Sequence, residues 1–223
     1  MKLYDYYRSS ASYRVRIALN IKGLNYQQVA VSLLDNEQRS TAYAALNPSQ
    51  LVPGFSPAAT EPADALTLEG GSGGDTGILG QSLAIIEYLD EYYPEPALLP
   101  SDPWHKAQCR EIALVVACDI HPLNNLRVLN YLNSELGVSQ NEKMIWYHHW
   151  LRQGFQSLET LSRRYHTQFT CTETPSLADI CLIPQLYNAK RFGFDTKHYP
   201  RLLEIEQRCL QLPPFQQAHP DNQ

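Results

Sequence analysis

Between Pro94 and Pro103 the chain carries four prolines, and its character changes across them. Proline cannot donate a backbone hydrogen bond and breaks a helix interior. The stretch therefore reads as a linker, with a domain boundary near residue 96. Before it, strand and helix signals alternate. Leu3 to Tyr7 is a short aromatic run with strand character. Val15, Ala18, Leu19 and Ile21 form an apolar stripe that predicts a helix from about Ser12 to Lys22. Gly23 stands just past its end, where a left-handed cap is expected. Tyr26 to Leu33 reads as a second strand and Asn36 to Leu46 as a short helix. Ser82 to Tyr92 reads as a strong helix, with Leu83, Ile86 and Leu89 inward and Pro94 as its stop. Such alternation implies an α/β layer. After the linker the signals are all helical. Trp104 to about Glu135 is one stretch, with Pro122 a break or kink. Asn141 to Tyr165 is another, and Pro200 to Leu210 the last. Between them Ser176 opens a helix in which Asp179 reaches back to the serine amide, a variant of the capping box. The expected organisation is α/β plus all-α, with domains at 1–95 and 96–223.

Composition narrows the function. Among 223 residues, 18 Lys and Arg face 23 Asp and Glu, and the isoelectric point is near 5.8. No basic cluster is long enough to track a phosphate backbone, so nucleic acid is not an expected partner. The longest apolar run, Ile112 to Cys118, is too short for a membrane span, and the start of the chain has no secretory pattern. Five cysteines at irregular spacing form no zinc motif and suit a reducing compartment, so a cytoplasmic protein without a metal is expected. His148 and His149 are neighbours and do not share a helix face. Between Arg39 and Lys106 there is no Lys or Arg, while there are nine acids.

Three places could carry chemistry. Arg8-Ser9-Ser10 lies where the first strand turns into the first helix, and free amides there stabilise an anion or a thiolate. An ordinary serine N-cap gives the same pattern. Val52-Pro53 is a candidate cis bond that would expose Val52 backbone groups to an extended peptide; a trans proline at a strand start is the alternative. Gln81-Ser82 opens the strong helix and could hold a carboxylate, or could simply cap it. On consecutive units of one layer, the three together describe a cleft for a small anionic thiol peptide.

At this point the sequence resembles a known family. Ser9-Ser10-Ala11-Ser12-Tyr13-Arg14-Val15-Arg16-Ile17-Ala18-Leu19 resembles the first signature of the zeta-class glutathione transferases, the maleylacetoacetate isomerase family. Gln81-Ser82-Leu83-Ala84-Ile85-Ile86-Glu87-Tyr88-Leu89 is similar to the second. Ile120-His121-Pro122-Leu123-Asn124-Asn125-Leu126 resembles a helical segment of bacterial members. Leu177-Ala178-Asp179, Pro184-Gln185 and Ala189-Lys190-Arg191-Phe192 resemble the C-terminal block. The resemblance covers nearly the whole chain.

It implies a thioredoxin-like N-terminal domain, a helical C-terminal domain, a homodimer and glutathione as cofactor. The implied reaction is cis–trans isomerisation of an activated double bond: glutathione thiolate adds, the bond rotates, and the thiolate leaves. Ser9 and Ser10 match the thiolate site. Val52, Gln81, Ser82, Gln38 and His121 match glutathione contacts. Arg191 matches a substrate-carboxylate arginine, with Arg8 and Arg127 as further candidates for a small dicarboxylate. Arginine suits these places because its fork pairs bidentately with carboxylates. Two departures stand out. Ala11 replaces the usual cysteine of the first signature. The span from Pro53 to Gln81 is long and rich in Gly, Pro and acids, so an inserted loop at about 56–77 is expected. The leading expectation is a maleylacetoacetate isomerase of tyrosine and phenylalanine breakdown. Maleylpyruvate isomerase, a general transferase for electrophiles such as α-halo acids, and a glutathione-binding protein without turnover are the alternatives. Tyr4, Tyr6 and Tyr7 could suggest a tyrosine-type transferase, but the serine at the helix start argues against it.

Overall fold

The computed structural model describes residues 1–57 and 78–223, so most of the expected inserted loop lies outside the described residues. The chain divides into two compact units: Met1–Pro96 with Pro214–Gln223, and Ala97–Pro213.

In the first unit β1 (Lys2–Asp5), α1 (Ser10–Ile21) and β2 (Gln27–Ala30) are followed by a 3-10 turn at Glu37–Arg39. Then come α2 (Thr41–Leu46), β3 (Gly54–Ser56), β4 (Leu79–Gly80) and α3 (Ser82–Tyr92). The sheet order is β2-β1-β3-β4. β1 runs parallel to β2, with Leu3 opposite Gln28, and antiparallel to β3, with Leu3 opposite Phe55. β3 in turn pairs antiparallel with β4. This is the thioredoxin-like arrangement. β1 and β4 therefore point the same way, and the helices that leave them, α1 and α3, run alongside each other and pack together. Leu3, Val15, Leu19, Phe55, Ile85, Ile86 and Leu89 form the core beneath them. Gly54 has no room for a side chain: a Cβ there would lie 2.7 Å from Ile78 Cγ2.

Two charged networks close this unit. Arg16 is fully buried, and its Nη1 donates to Asp5 Oδ1 at 2.9 Å and Oδ2 at 2.7 Å. Its Nη2 donates to Tyr7 O at 2.9 Å and its Nε to Ala218 O at 3.0 Å. Lys22 Nζ donates to Asp90 Oδ1 at 2.6 Å and to the carbonyls of Tyr93 and Pro96 at 2.5 and 2.7 Å. The Arg16 network corrects the expected assignment of all residues after 96 to the helical half. Phe215 is fully buried and Asn20 Nδ2 reaches Pro214 O at 3.1 Å, so the final segment completes the first unit.

The second unit is helical: α4 (Pro103–Leu114), α5 (Leu126–Ser134), α6 (Gln140–Ser162), α7 (Leu177–Arg191) and α8 (Pro200–Cys209). α9 (Pro213–Ala218) begins at its last residue and runs into the final segment. The long stretch expected from Trp104 to Glu135 is interrupted around Pro122, as the sequence suggests. α4 passes into a π-helical turn at Val115–Ile120, and Pro122 sits in the turn that follows. Ile120 packs where α6 has Gly154; a Cβ on Gly154 would lie 2.2 Å from Ile120 Cδ1. α7 is buried along most of its length and packs on α4 and α8. Trp104 is 73% exposed on this single chain. Among the described residues no helix is long and apolar enough to cross a membrane.

Candidate active site

The residues expected to bind glutathione fall mainly on the first unit. β1 ends at Asp5, Tyr6–Arg8 turn the chain, and Ser9 caps α1. Ser9 N donates to Tyr6 O at 2.8 Å, which closes the turn. Ser9 Oγ accepts from Ser12 N at 3.2 Å, so its own O–H remains available as a donor. The structure separates the two serines. Ser9 is half-buried, whereas Ser10 is only 6% exposed and belongs to the interior. The hydroxyl presented at the helix start is that of Ser9. No acidic residue occupies the first turn of α1, so its positive end is not neutralised from within.

α3 begins in the same way. Gln81 is exposed and holds the left-handed half of backbone space, with φ 66° and ψ 111°, a conformation that costs about 1–3 kcal/mol for a residue with a side chain. Ser82 follows, buried, and Arg14 Nη1 donates to its Oγ at 3.2 Å. α3 also lacks a first-turn acid. Because β1 and β4 are parallel, the starts of α1 and α3 lie at the same edge of the sheet. Ser9 and Gln81-Ser82 are thus brought to one side of this unit.

Val52 is half-buried and its bond to Pro53 is cis. The carbonyl just before it is fixed: Leu51 O accepts from Tyr43 Oη and from Asn47 Nδ2, both at 2.8 Å. Asn47 Oδ1 also accepts from Ser49 N and Oγ, which shapes the turn. Gln38 lies in the 3-10 turn, and its Oε1 is buried with no partner among the described residues. Arg8 is exposed, its guanidinium 4.9 Å from the Tyr7 ring centroid. The donors of this unit fit a small peptide carrying a thiolate and a carboxylate: a serine O–H at one acid-free helix start, a second serine at another, and a segment before Pro53 held through Leu51 O.

The second unit carries the remaining candidates. His121 follows the π-helical turn, and Asn125 Nδ2 faces its Nε2 at 3.4 Å, which makes that ring nitrogen the acceptor. Arg127 is exposed in the first turn of α5. Arg191 is exposed in the last turn of α7, 5.0 Å from the Phe192 ring centroid. Burial pushes the nearby Tyr147 phenol well above its ordinary range, and the Arg191 charge partly offsets this. Asn188 Nδ2 donates to Tyr147 Oη at 2.9 Å. Among the described residues none of Arg8, Arg127 and Arg191 has a carboxylate partner.

Arg14 was not among the expected site residues. It lies one position from the apolar stripe of α1, and charge alone reads as a solvated face. No sequence signal distinguishes a buried arginine from an exposed one there.

Residues 3–97 match the family model described as glutathione S-transferase, N-terminal domain. The fold is that of a glutathione transferase. The probable maleylacetoacetate isomerase of Vibrio cholerae is 47% identical over 223 residues, covering 99% of this chain and 96% of the relative. A holo structure of a bacterial zeta-class maleylpyruvate isomerase superposes with a TM-score of 0.90 at 39% identity, covering 100% of this chain and 98% of the other. A maleylacetoacetate isomerase structure from Methylobacterium extorquens with bound malonate and glutathione gives a TM-score of 0.89 at 34% identity, with coverage of 100% and 98%. The chain belongs to the maleylacetoacetate isomerase family, the zeta class of the glutathione transferases.

Proposed function

We propose that this protein is a glutathione-dependent cis–trans isomerase that converts maleylacetoacetate to fumarylacetoacetate in tyrosine and phenylalanine breakdown. The observation that carries this reading is the start of α1: a half-exposed serine hydroxyl, free to donate, at a helix N-terminus with no acid of its own. Bound glutathione would supply the thiol that adds reversibly to the substrate alkene. Ser9 donates to the sulfur and favours its ionised form, while Ser10, buried behind it, fixes the helix start. Gln81 and Ser82 hold the γ-glutamyl carboxylate, Val52 pairs with the extended backbone, and Gln38 and His121 complete the cofactor contacts. Arg191, with Arg8 and Arg127, binds the carboxylates of the small diacid and balances the negative charge that develops next to its carbonyl. The protein acts as a homodimer in the cytoplasm; exposed Trp104 and Ile145 are apolar surface that a partner subunit would cover.

Maleylpyruvate is the second substrate to consider, supported by the 0.90 TM-score to a maleylpyruvate isomerase and by exposed Arg127. The test is an assay of purified protein on both maleyl diacids, with and without glutathione. The expected result is conversion of maleylacetoacetate only when glutathione is present. Full rate without glutathione overturns the mechanism. Faster turnover of maleylpyruvate assigns the other substrate. Glutathione binding without turnover of either diacid or a simple electrophile rejects an enzymatic role.

A further inference from the structure

Arg14 is 2% exposed, yet its side chain ends at a residue expected to bind an anion. It projects from α1 one turn beyond Ser9 and crosses to the start of α3, where Nη1 donates to Ser82 Oγ at 3.2 Å. A serine hydroxyl has one proton and two lone pairs. With a guanidinium donating to the oxygen, the Ser82 proton is directed away from Arg14, and the hydroxyl is held as an outward donor. The guanidinium is charged at every accessible pH. It therefore adds positive charge behind two helix starts that contribute only partial charges and contain no first-turn acid. Buried charge is less screened than surface charge, so its attraction for an anion at Ser82 survives salt.

We infer that Arg14 is a positioning residue for the carboxylate subsite at the start of α3, acting through Ser82 rather than by touching the ligand. The inference rests on the glutathione reading above and goes beyond it. It assigns discrimination for the γ-glutamyl carboxylate to a side chain on the other helix. A buried arginine that merely fills space between α1 and α3 would affect every ligand alike.

The test is calorimetric titration of the full chain with two probes: glutathione, and glutathione whose γ-glutamyl α-carboxylate is converted to the amide. The native protein is expected to prefer glutathione at least tenfold. Arg14→Met should weaken glutathione about tenfold while changing the affinity for the amide less than twofold. The double variant Arg14→Met/Ser82→Ala should lose little more than the worse single variant, because the two residues act as one unit. Should Arg14→Met fail to fold, Arg14→Lys decides the same point. Its shorter ammonium gives up the hydroxyl contact, and the preference should fall several-fold. Equal weakening of both probes, or an undiminished preference in the folded variant, overturns the inference and leaves the glutathione reading standing. A native protein that binds neither probe overturns both.

Discussion

Helices α1 and α7 both begin at a serine, and they complete that beginning in opposite ways. At α7 the Asp179 carboxylate accepts from Ser176 N and Oγ at 2.8 and 2.9 Å and from Thr170 N and Oγ1 at 2.8 and 2.5 Å. Burial pushes this carboxyl above its ordinary range, while four hydrogen bonds pull it down. The helix start is filled by the chain's own anion and sealed at 0% exposure. α6 follows the same pattern, with Glu142 accepting from Ser139 N, whereas α4 is capped by an acid directly, Asp102 accepting from His105 N. At α1 the serine is half-exposed and no acid follows. The same residue type thus marks a closed structural cap in one unit and an open, acid-free start in the other. What separates them is whether a carboxylate comes three residues later.

The largest effect should come from opening the closed start. Asp179→Ala leaves four buried donors without an acceptor, and we expect a loss of about 3–5 kcal/mol in urea unfolding. A loss below 1 kcal/mol would show that the buried carboxylate does not hold this region. The converse change closes the open start. Asp caps helices as well as Ser does, so Ser9→Asp should leave the unfolding midpoint nearly unchanged. It also puts a negative charge where the thiolate is to sit, and glutathione-dependent turnover should fall about 100-fold or more. Unaltered turnover would break the contrast between the two starts. A smaller effect is expected at α6, where Ser139→Ala removes a cap worth about 1 kcal/mol, again read by urea unfolding. The smallest concerns pH. Hydrogen bonds from the Ser139 hydroxyl and amide hold the Glu142 carboxyl below its ordinary value of 4.5. Its folded pKa is depressed, so its contribution is present above pH 4.5 and fades as pH falls through the lower folded value. The stability gap between the parent and Glu142→Gln should narrow on acidification from pH 6 toward pH 3. A constant gap would deny the carboxylate its capping role.

The same contrast explains how much was legible in the sequence. Capping chemistry is local, so Ser176 with Asp179 and the run from Ser82 to Tyr92 could be read directly, and α3 spans those residues. Elements fixed by distant contacts were less visible. The aromatic run Leu3–Tyr7 predicts a longer strand than β1, because Tyr6 and Tyr7 are drawn into the turn that Arg16 holds through Tyr7 O. The π-helical turn before His121 sets Ile120 against Gly154, more than thirty residues away, and nothing local signals that contact. Ser9 and Ser82 were readable as residues at helix starts, but the separation of Ser9 from buried Ser10 was not. Arg14 and Arg16 sit in a helix whose apolar stripe suggests that charges face water. Partners from β1, α3 and the last residues help make their burial tolerable.

The bond from Arg16 to Ala218 spans 202 positions of sequence. A polypeptide emerges from the ribosome N-terminus first. Until the segment around Ala218 is made, the first unit has one arm of its buried arginine unanswered and the seat of Phe215 unfilled. Its core is closed by residues about two hundred positions downstream, and its final packing must await their synthesis.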